Sequence, residues 1–173
     1  IMGAVLVTGG AGYIGSHVTK ALRLAGRDVV VLDSLAVGHR EAVCGAPLVE
    51  ADIADTETVR QTIRQFGVTS VMHLAALLSV GESVLYPNRY YANNVTKTIA
   101  LFEALVSESV EYLIFSSTAA VYGESQETPI TEDHFTRPSC AYGETKLAIE
   151  RALPHYERAY GLRSICLRYF NAA

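Results

Sequence analysis

Apolar positions along this chain fall into two kinds of stretch, short continuous runs of β-favouring residues and longer stretches with helical spacing. The first run, residues 4–7, leads through Thr8 into the spaced glycines Gly9, Gly12 and Gly15. It predicts a buried strand, a tight turn and a helix with a bare N-terminus. A second buried run over 28–33 ends in Asp33, residues 34–45 read as loop, and 47–51 predict a short third strand. Val59, Ile63 and Phe66 predict a helix over 56–66, closed by Gly67. Residues 70–76 form a fourth strand running into small residues. One long helix is predicted over 87–107, with Val95, Ile99, Phe102, Leu105 and Val106 as a broad apolar face. The fifth strand covers 111–117, a helix 142–160, and the sixth strand 163–168. Pro154 lies inside the last helix and removes a bond to residue 150, which predicts a kink or break there.

Strands separated by helices predict an α/β fold, a doubly wound parallel (Rossmann) sheet with right-handed crossovers. Six strands give the order 3-2-1-4-5-6, with a ligand at the switch between strands one and four. Residues 1–173 read as one domain, long enough to bury about 70% of its unfolded surface. Half the residues are hydrophobic and 18% are charged, as suits a globular α/β chain. A net charge of −4 without any Lys/Arg cluster argues against nucleic acid and acidic membranes as partners. No apolar run reaches transmembrane length and the chain begins directly with a strand, so a cytoplasmic location is expected. The leading Ile1 is an unusual start and reads as a scar or an upstream cut. Cys44, Cys140 and Cys166 are widely spaced and read as free thiols, with no metal pattern among the cysteines or histidines. His73 reads as a core or strand-end histidine rather than a catalyst.

Chemistry enters at the glycines. Free N–H groups and the positive end of a helix dipole suit a diphosphate. Gly9 lets the chain turn, Gly12 lets backbone approach the phosphates, and Gly15 lets helix pack close on strand. Two registers fit, Gly9-x-x-Gly12-x-x-Gly15 and Gly10-x-Gly12-x-x-Gly15, so the pattern alone does not choose a family. Asp33 stands eighteen positions beyond Gly15, near the spacing of the acidic residue that takes ribose hydroxyls, and its charge favours NAD over NADP. A strand-end turn residue is the plainer role for the same aspartate.

Two further stretches exceed what packing requires. Residues 114–118 deliver Ser116, Ser117 and Thr118 to the ligand-bearing edge of the sheet, and Tyr142-x-x-x-Lys146 places a phenol and an ammonium on one helix side. Tyrosine titrates near 10, so a base useful at neutral pH needs roughly 3 to 4 kcal/mol of help. One positive charge about 5 Å away at an effective dielectric near 20 supplies roughly 3 kcal/mol. A surface Tyr/Lys pair is otherwise commonplace.

Thr8-Gly9-x-x-Gly12-x-x-Gly15, the 116–118 strand end and Tyr142-x-x-x-Lys146 together resemble the extended branch of the short-chain dehydrogenase/reductases. Within it, Val80-Gly81-Glu82-Ser83 and Arg168-Tyr169-Phe170-Asn171 resemble the UDP-glucose (UDP-galactose) 4-epimerase family, and the likeness runs through essentially the whole chain. Sister dehydratases carry an Asp-Glu pair after the Ser/Thr. Ala119-Ala120 stand here, which argues against elimination of water.

The resemblance implies an NAD-dependent isomerase acting on a nucleotide sugar in galactose metabolism. Tyr142 would take the proton from the sugar 4-oxygen, Thr118 would hydrogen-bond that oxygen, and Lys146 would hold the ribose and lower the phenol pKa. Gly9, Gly12, Tyr13, Ile14 and Gly15 would line the pyrophosphate, and Asp33, Ser34, Asp52 and Ile53 the adenosine half. Leu74, Ala75, Ala76, Asn93, Ser116 and Phe170 would complete the cofactor wall, and Asn171 would touch the UDP-sugar substrate. Leu78 stands where many relatives place a lysine near the phosphates. The resemblance further implies a smaller substrate domain beyond the last strand, so the chain reads as an N-terminal portion, weakly active alone. It also implies a homodimer through the 87–107 helix and the Tyr142 helix, with Leu101 and Leu105 as spare apolar residues. An epimerase of another UDP-sugar, or a non-catalytic NAD-sensing module, are the alternatives; the latter commonly lacks the Tyr or the Lys, both kept here.

Overall fold

The computed structural model describes residues 3–124 and 128–172, so Ile1, noted above as an unusual start, lies outside the described residues. Six strands form one sheet: β1 Ala4–Thr8, β2 Val29–Asp33, β3 Leu48–Glu50, β4 Val68–His73, β5 Tyr112–Thr118 and β6 Arg163–Tyr169. Every pairing is parallel and the spatial order is β3-β2-β1-β4-β5-β6, the doubly wound order expected from the alternation of elements. The helices are α1 Tyr13–Leu24, α2 Thr56–Phe66, α3 Val80–Leu85, α4 Pro87–Tyr90, α5 Lys97–Ser107 and α6 Ala141–Tyr160.

The unbroken apolar runs have a simple cause. Alternate residues of β1 and β2 enter two different cores, so neither face of the sheet centre meets water. Leu6, Val30 and Leu32 join Val59 and Ile63 of α2, Phe102 and Leu105 of α5, and Ile149 and Leu153 of α6. On the other face Val5, Val7, Val29 and Val31 pack with Ala11, Val43 and Ala46. Each fully buried Leu or Phe contributes roughly 1.5–3 kcal/mol. Helix α2 is delimited as its sequence predicts: the Asp55 carboxylate accepts from the Thr58 N–H at 3.1 Å, and Gly67 closes it at φ +60°.

Three expectations are corrected. The helix over 87–107 is one helical path, but residues Tyr91–Thr96 form a π-turn between α4 and α5. The widened turn sits where Asn94 is buried and grips a loop: its amide oxygen accepts from the Leu77 N–H at 2.9 Å, and its Nδ2 donates to the Leu77 carbonyl at 3.0 Å. Helix α6 continues through Pro154 without a break, since that residue faces solvent and water can replace the bond it gives up. Leu101 and Leu105 are not spare: both are fully buried in the core of this chain and offer nothing to a partner. Smaller shifts follow the same logic. β4 ends at His73, so Leu74, Ala75 and Ala76 leave the sheet, and the 34–45 loop contains a short 3-10 turn at Arg40–Val43.

His73 is a core histidine. Thr8 Oγ1 lies 2.7 Å from its Nδ1 and Thr98 Oγ1 lies 3.0 Å from its Nε2, so both ring nitrogens are satisfied without a charge. Burial, helped by the nearby Lys146, holds its pKa down at about 3. The unfolded chain takes up this proton near pH 6.5, which the fold refuses until about pH 3, so the stabilising contribution present above pH 6.5 is lost as pH falls through that window. Urea midpoints measured from pH 7.5 down to 4.5 should therefore fall for the natural chain. In His73→Met the fall below pH 6.5 should be shallower by about 1 kcal/mol per pH unit; parallel curves would contradict this.

Candidate functional site

The carboxyl ends of β1 to β4 open into a cavity of about 400 Å³. Gly9, Gly12, Tyr13, Ile14, Gly15, Asp33, Ser34, Asp52, Ile53, Leu74, Ala75, Ala76, Asn93 and Ser116 all line it. Thr118, Tyr142, Lys146, Phe170 and Asn171 are not among its lining residues. The expected residues therefore divide into a cavity group and a second group reached through Ser116.

The glycine turn forms the floor. Gly9 has φ +72°, and a Cβ there would meet the Ala75 amide nitrogen at 2.6 Å; a Cβ on Gly15 would overlap the Gly9 carbonyl oxygen at 2.0 Å. At Gly12 an added Cβ would meet only that same oxygen, at 3.3 Å, so the space above Gly12 belongs to the cavity rather than to internal packing. No side chain caps α1, whose first residues Tyr13, Ile14 and Gly15 face the cavity with the positive end of the helix dipole behind them. Asp33 closes the end of β2. Its Oδ2 accepts from the Ala11 N–H at 3.0 Å and its Oδ1 from the Leu35 N–H at 2.9 Å. The turn role and the cavity role thus coincide in one side chain.

The second group hangs on α6. Tyr142, Lys146 and Glu150 recur every fourth residue, and each engages one of three consecutive residues at the end of β5. The Thr118 side chain lies beside the Tyr142 phenol, the Lys146 ammonium donates to the Ser116 carbonyl at 2.8 Å, and Ser117 Oγ donates to the Glu150 carboxylate. Arg168, in register with Ser117 on β6, grips Glu150 at 2.7 Å and donates to the Tyr122 hydroxyl at 2.8 Å. Gly143 permits this approach, because a Cβ there would meet the Ala120 carbonyl oxygen at 2.6 Å. Ser116 lines the cavity, so the Lys146 ammonium stands directly behind its wall.

The electrostatics correct one expectation. Burial pushes the Tyr142 phenol above its ordinary range, and the nearby Thr118 hydroxyl pulls it only partly back. Burial likewise lowers Lys146 to about 7, and its ammonium sits 4.9 Å over the Phe115 ring. The sequence argument placed a full cation in a medium of moderate dielectric. In the folded chain the same burial that brings the pair together weakens the charge of both members. Phe170 is exposed and its ring lies 6.4 Å from that of Tyr122, while Asn171 is exposed just beyond β6.

Sequence reasoning missed some of the lining. Leu77 enters through the loop that Asn94 holds, and Ala36, Val37 and Gly38 through the loop after Asp33, where the His39 N–H donates to the Ala11 carbonyl at 3.0 Å. Lys97 was missed although it lies four residues beyond Asn93, a spacing that places both on one helix side. Among the described residues no three His, Cys, Asp or Glu side chains gather where a metal could bind, and no helix is long and apolar enough to cross a membrane.

Comparison with known proteins agrees with this geometry. The family model described as NAD dependent epimerase/dehydratase family matches residues 5–173. A UDP-glucose 4-epimerase of Halalkalibacterium halodurans is 46% identical over 170 residues, covering 98% of this chain and 51% of the relative. One of Lactobacillus helveticus is 48% identical, covering 98% of this chain and 52% of the relative. Among solved structures, UDP-glucose 4-epimerase from Brucella ovis in complex with NAD superimposes with a TM-score of 0.95 at 44% identity, over 98% of this chain and 52% of that one. The Thermus thermophilus enzyme in complex with NAD gives 0.91 at 43% identity, over 96% and 54%. The chain thus spans about half the length of the curated relatives it matches. With its doubly wound sheet, its glycine turn and its α6 latch, the chain belongs to the NAD dependent epimerase/dehydratase family.

Proposed function

We propose that this chain is the dinucleotide-binding and catalytic part of a UDP-hexose 4-epimerase, interconverting UDP-glucose and UDP-galactose with NAD as bound cofactor. The observation that carries the reading is the contact of Tyr142 with Thr118 and of Lys146 with Ser116, a cavity wall residue. The likeness to UDP-glucose 4-epimerases at 46% to 48% identity supports the substrate class.

The cavity fits the cofactor on its own chemistry. An uncapped helix N-terminus suits a pyrophosphate, open space stands above Gly12, and a carboxylate lies at the end of β2 for ribose hydroxyls. Gly9, Gly12, Tyr13, Ile14 and Gly15 would hold the phosphates; Asp33, Ser34, Asp52 and Ile53 the adenosine half; Leu74, Ala75, Ala76, Asn93 and Ser116 the remaining wall. When bound, NAD supplies the electron acceptor for oxidation at C4 of the sugar. Tyr142 removes the proton of the 4-hydroxyl and later returns it. Thr118 orients that oxygen beside the phenol, Asn171 contacts the nucleotide sugar, and Lys146 holds the ribose. Ala119 and Ala120 leave no acid beside Thr118 to drive loss of water.

The chain spans about half the length of the relatives it matches, and we assign most of the grip on the UDP to the half it does not match. Conversion of UDP-galactose by the 173-residue chain alone should therefore be very slow; a rate equal to that of a full-length relative would overturn this. Pairing of two copies is proposed through the 87–107 helical path and the Tyr142 helix, without Leu101 and Leu105, and exposed apolar residues continue that surface onto α3. Val84, Leu85 and Tyr91 expose 63%, 72% and 44% of their surface. Sedimentation at rising concentration should show a dimer, and a monomer throughout would refute it.

Two substitutions test the chemistry. Tyr142→Phe should leave NAD affinity within about twofold while slowing NAD reduction by UDP-galactose at least ~100-fold in single turnover, followed by the absorbance of the reduced nicotinamide. Equal loss of both would make Tyr142 a structural residue. Lys146→Met should weaken NAD binding and yet stabilise the cofactor-free chain at pH 6. The sign follows from Lys146: its folded pKa is about 7 against an ordinary 10.5, so between those values the unfolded chain holds the extra proton and stability rises with pH. The advantage of the variant should shrink as urea midpoints are taken from pH 7 towards 10.

A further inference from the structure

The cavity carries two carboxylates, Asp33 and Asp52, where the proposed ligand brings a doubly negative pyrophosphate. Among its described lining residues Lys97 is the one cation, and Leu78 lines the same cavity without a charge. The two carboxylates are handled differently. Both oxygens of Asp33 accept backbone N–H groups, from Ala11 and Leu35. Asp52 has one such partner, the Ala54 N–H on Oδ1 at 2.9 Å, and its Oδ2 is left to the Lys97 ammonium. That ion pair joins the loop after β3 to the first residue of α5, so it bridges two walls of the cavity. Burial alone would raise the Asp52 carboxyl, but the hydrogen bonds from Lys97 and Ala54 hold it below its ordinary value, and it therefore stays ionised.

We propose that Lys97 is a positioning and charge-balancing residue for the cofactor, cancelling Asp52 so that an anionic dinucleotide can enter a cavity whose other charged lining residues are carboxylates. The inference rests on the dinucleotide reading above and adds a residue to it. Lys97 acts through its charge. It does not read the base. Without it, an uncompensated carboxylate would face the ligand, and at about 0.1 M salt a charge is felt over roughly 10 Å. The Lys97 ammonium makes no further hydrogen bond among the described residues, and Lys97 lines the cavity.

The test compares three ligands on the chain as it stands. Calorimetric titrations of NAD, ADP and adenosine are run with the natural chain, Lys97→Gln and Lys97→Arg, at low and at high salt. Lys97→Gln should weaken NAD and ADP about tenfold at low salt and adenosine less than about twofold, with the difference shrinking as salt rises. Lys97→Arg should restore binding of the anionic ligands. Equal losses for adenosine and ADP, or no loss for any ligand, would overturn the role given to Lys97 while leaving the dinucleotide reading intact. Failure of the natural chain to bind either NAD or ADP would instead sink the dinucleotide reading, and this inference with it.

Discussion

The structure depends on the divergence of two neighbouring strands. β1 passes on one side to β2 and β4 passes on the other to β5, so their connections leave in opposite directions and a crevice opens between them. Beneath that crevice, Thr8 and His73 stand opposite each other in register and share a buried hydrogen bond. A polar contact inside an otherwise apolar sheet is tolerated because both groups stay neutral and fully paired. Beyond it, the Gly9 turn and the segment 74–76 line the cavity.

From that crevice the site is assembled by short latches rather than by long loops. α6 presents a side chain every fourth residue, and β5 presents three successive residues, so the two elements interlock over one strand end. Arg168 and Glu150 tie β6 into the same interlock, with the Tyr122 ring 4.9 Å from the guanidinium. Close approach has an electrostatic consequence. Burying a phenol and an ammonium together disfavours the charged form of each.

Lys97 and Asp52 show the same principle with the opposite outcome. They are partly exposed, and the Lys97 ammonium helps to hold the Asp52 carboxyl below its ordinary value. The charge at Asp52 is thus paired, while burial suppresses the charges of Tyr142 and Lys146. A family likeness in the motifs would not separate these two pairs, because the distinction lies in solvent access.

Pattern and spacing alone determined the strand order, the extent of α2, the glycine turn and the cavity residues Gly9, Gly12, Gly15 and Asp33, since these follow from chain-local rules of burial and turn geometry. Tertiary structure alone decided the rest. The π-turn at Tyr91–Thr96 arises from what Asn94 meets across the fold, and no local pattern encodes it. Leu101 and Leu105 look available on a helical wheel until α2 and the sheet cover them. The charge states of Tyr142 and Lys146 depend on how much water the packed helix excludes, and the pairing of Lys97 with Asp52 joins residues 45 positions apart. Sequence spacing reports which side of an element a residue occupies. Only the assembled fold reports what lies opposite it, and the energies of charge and burial are set there.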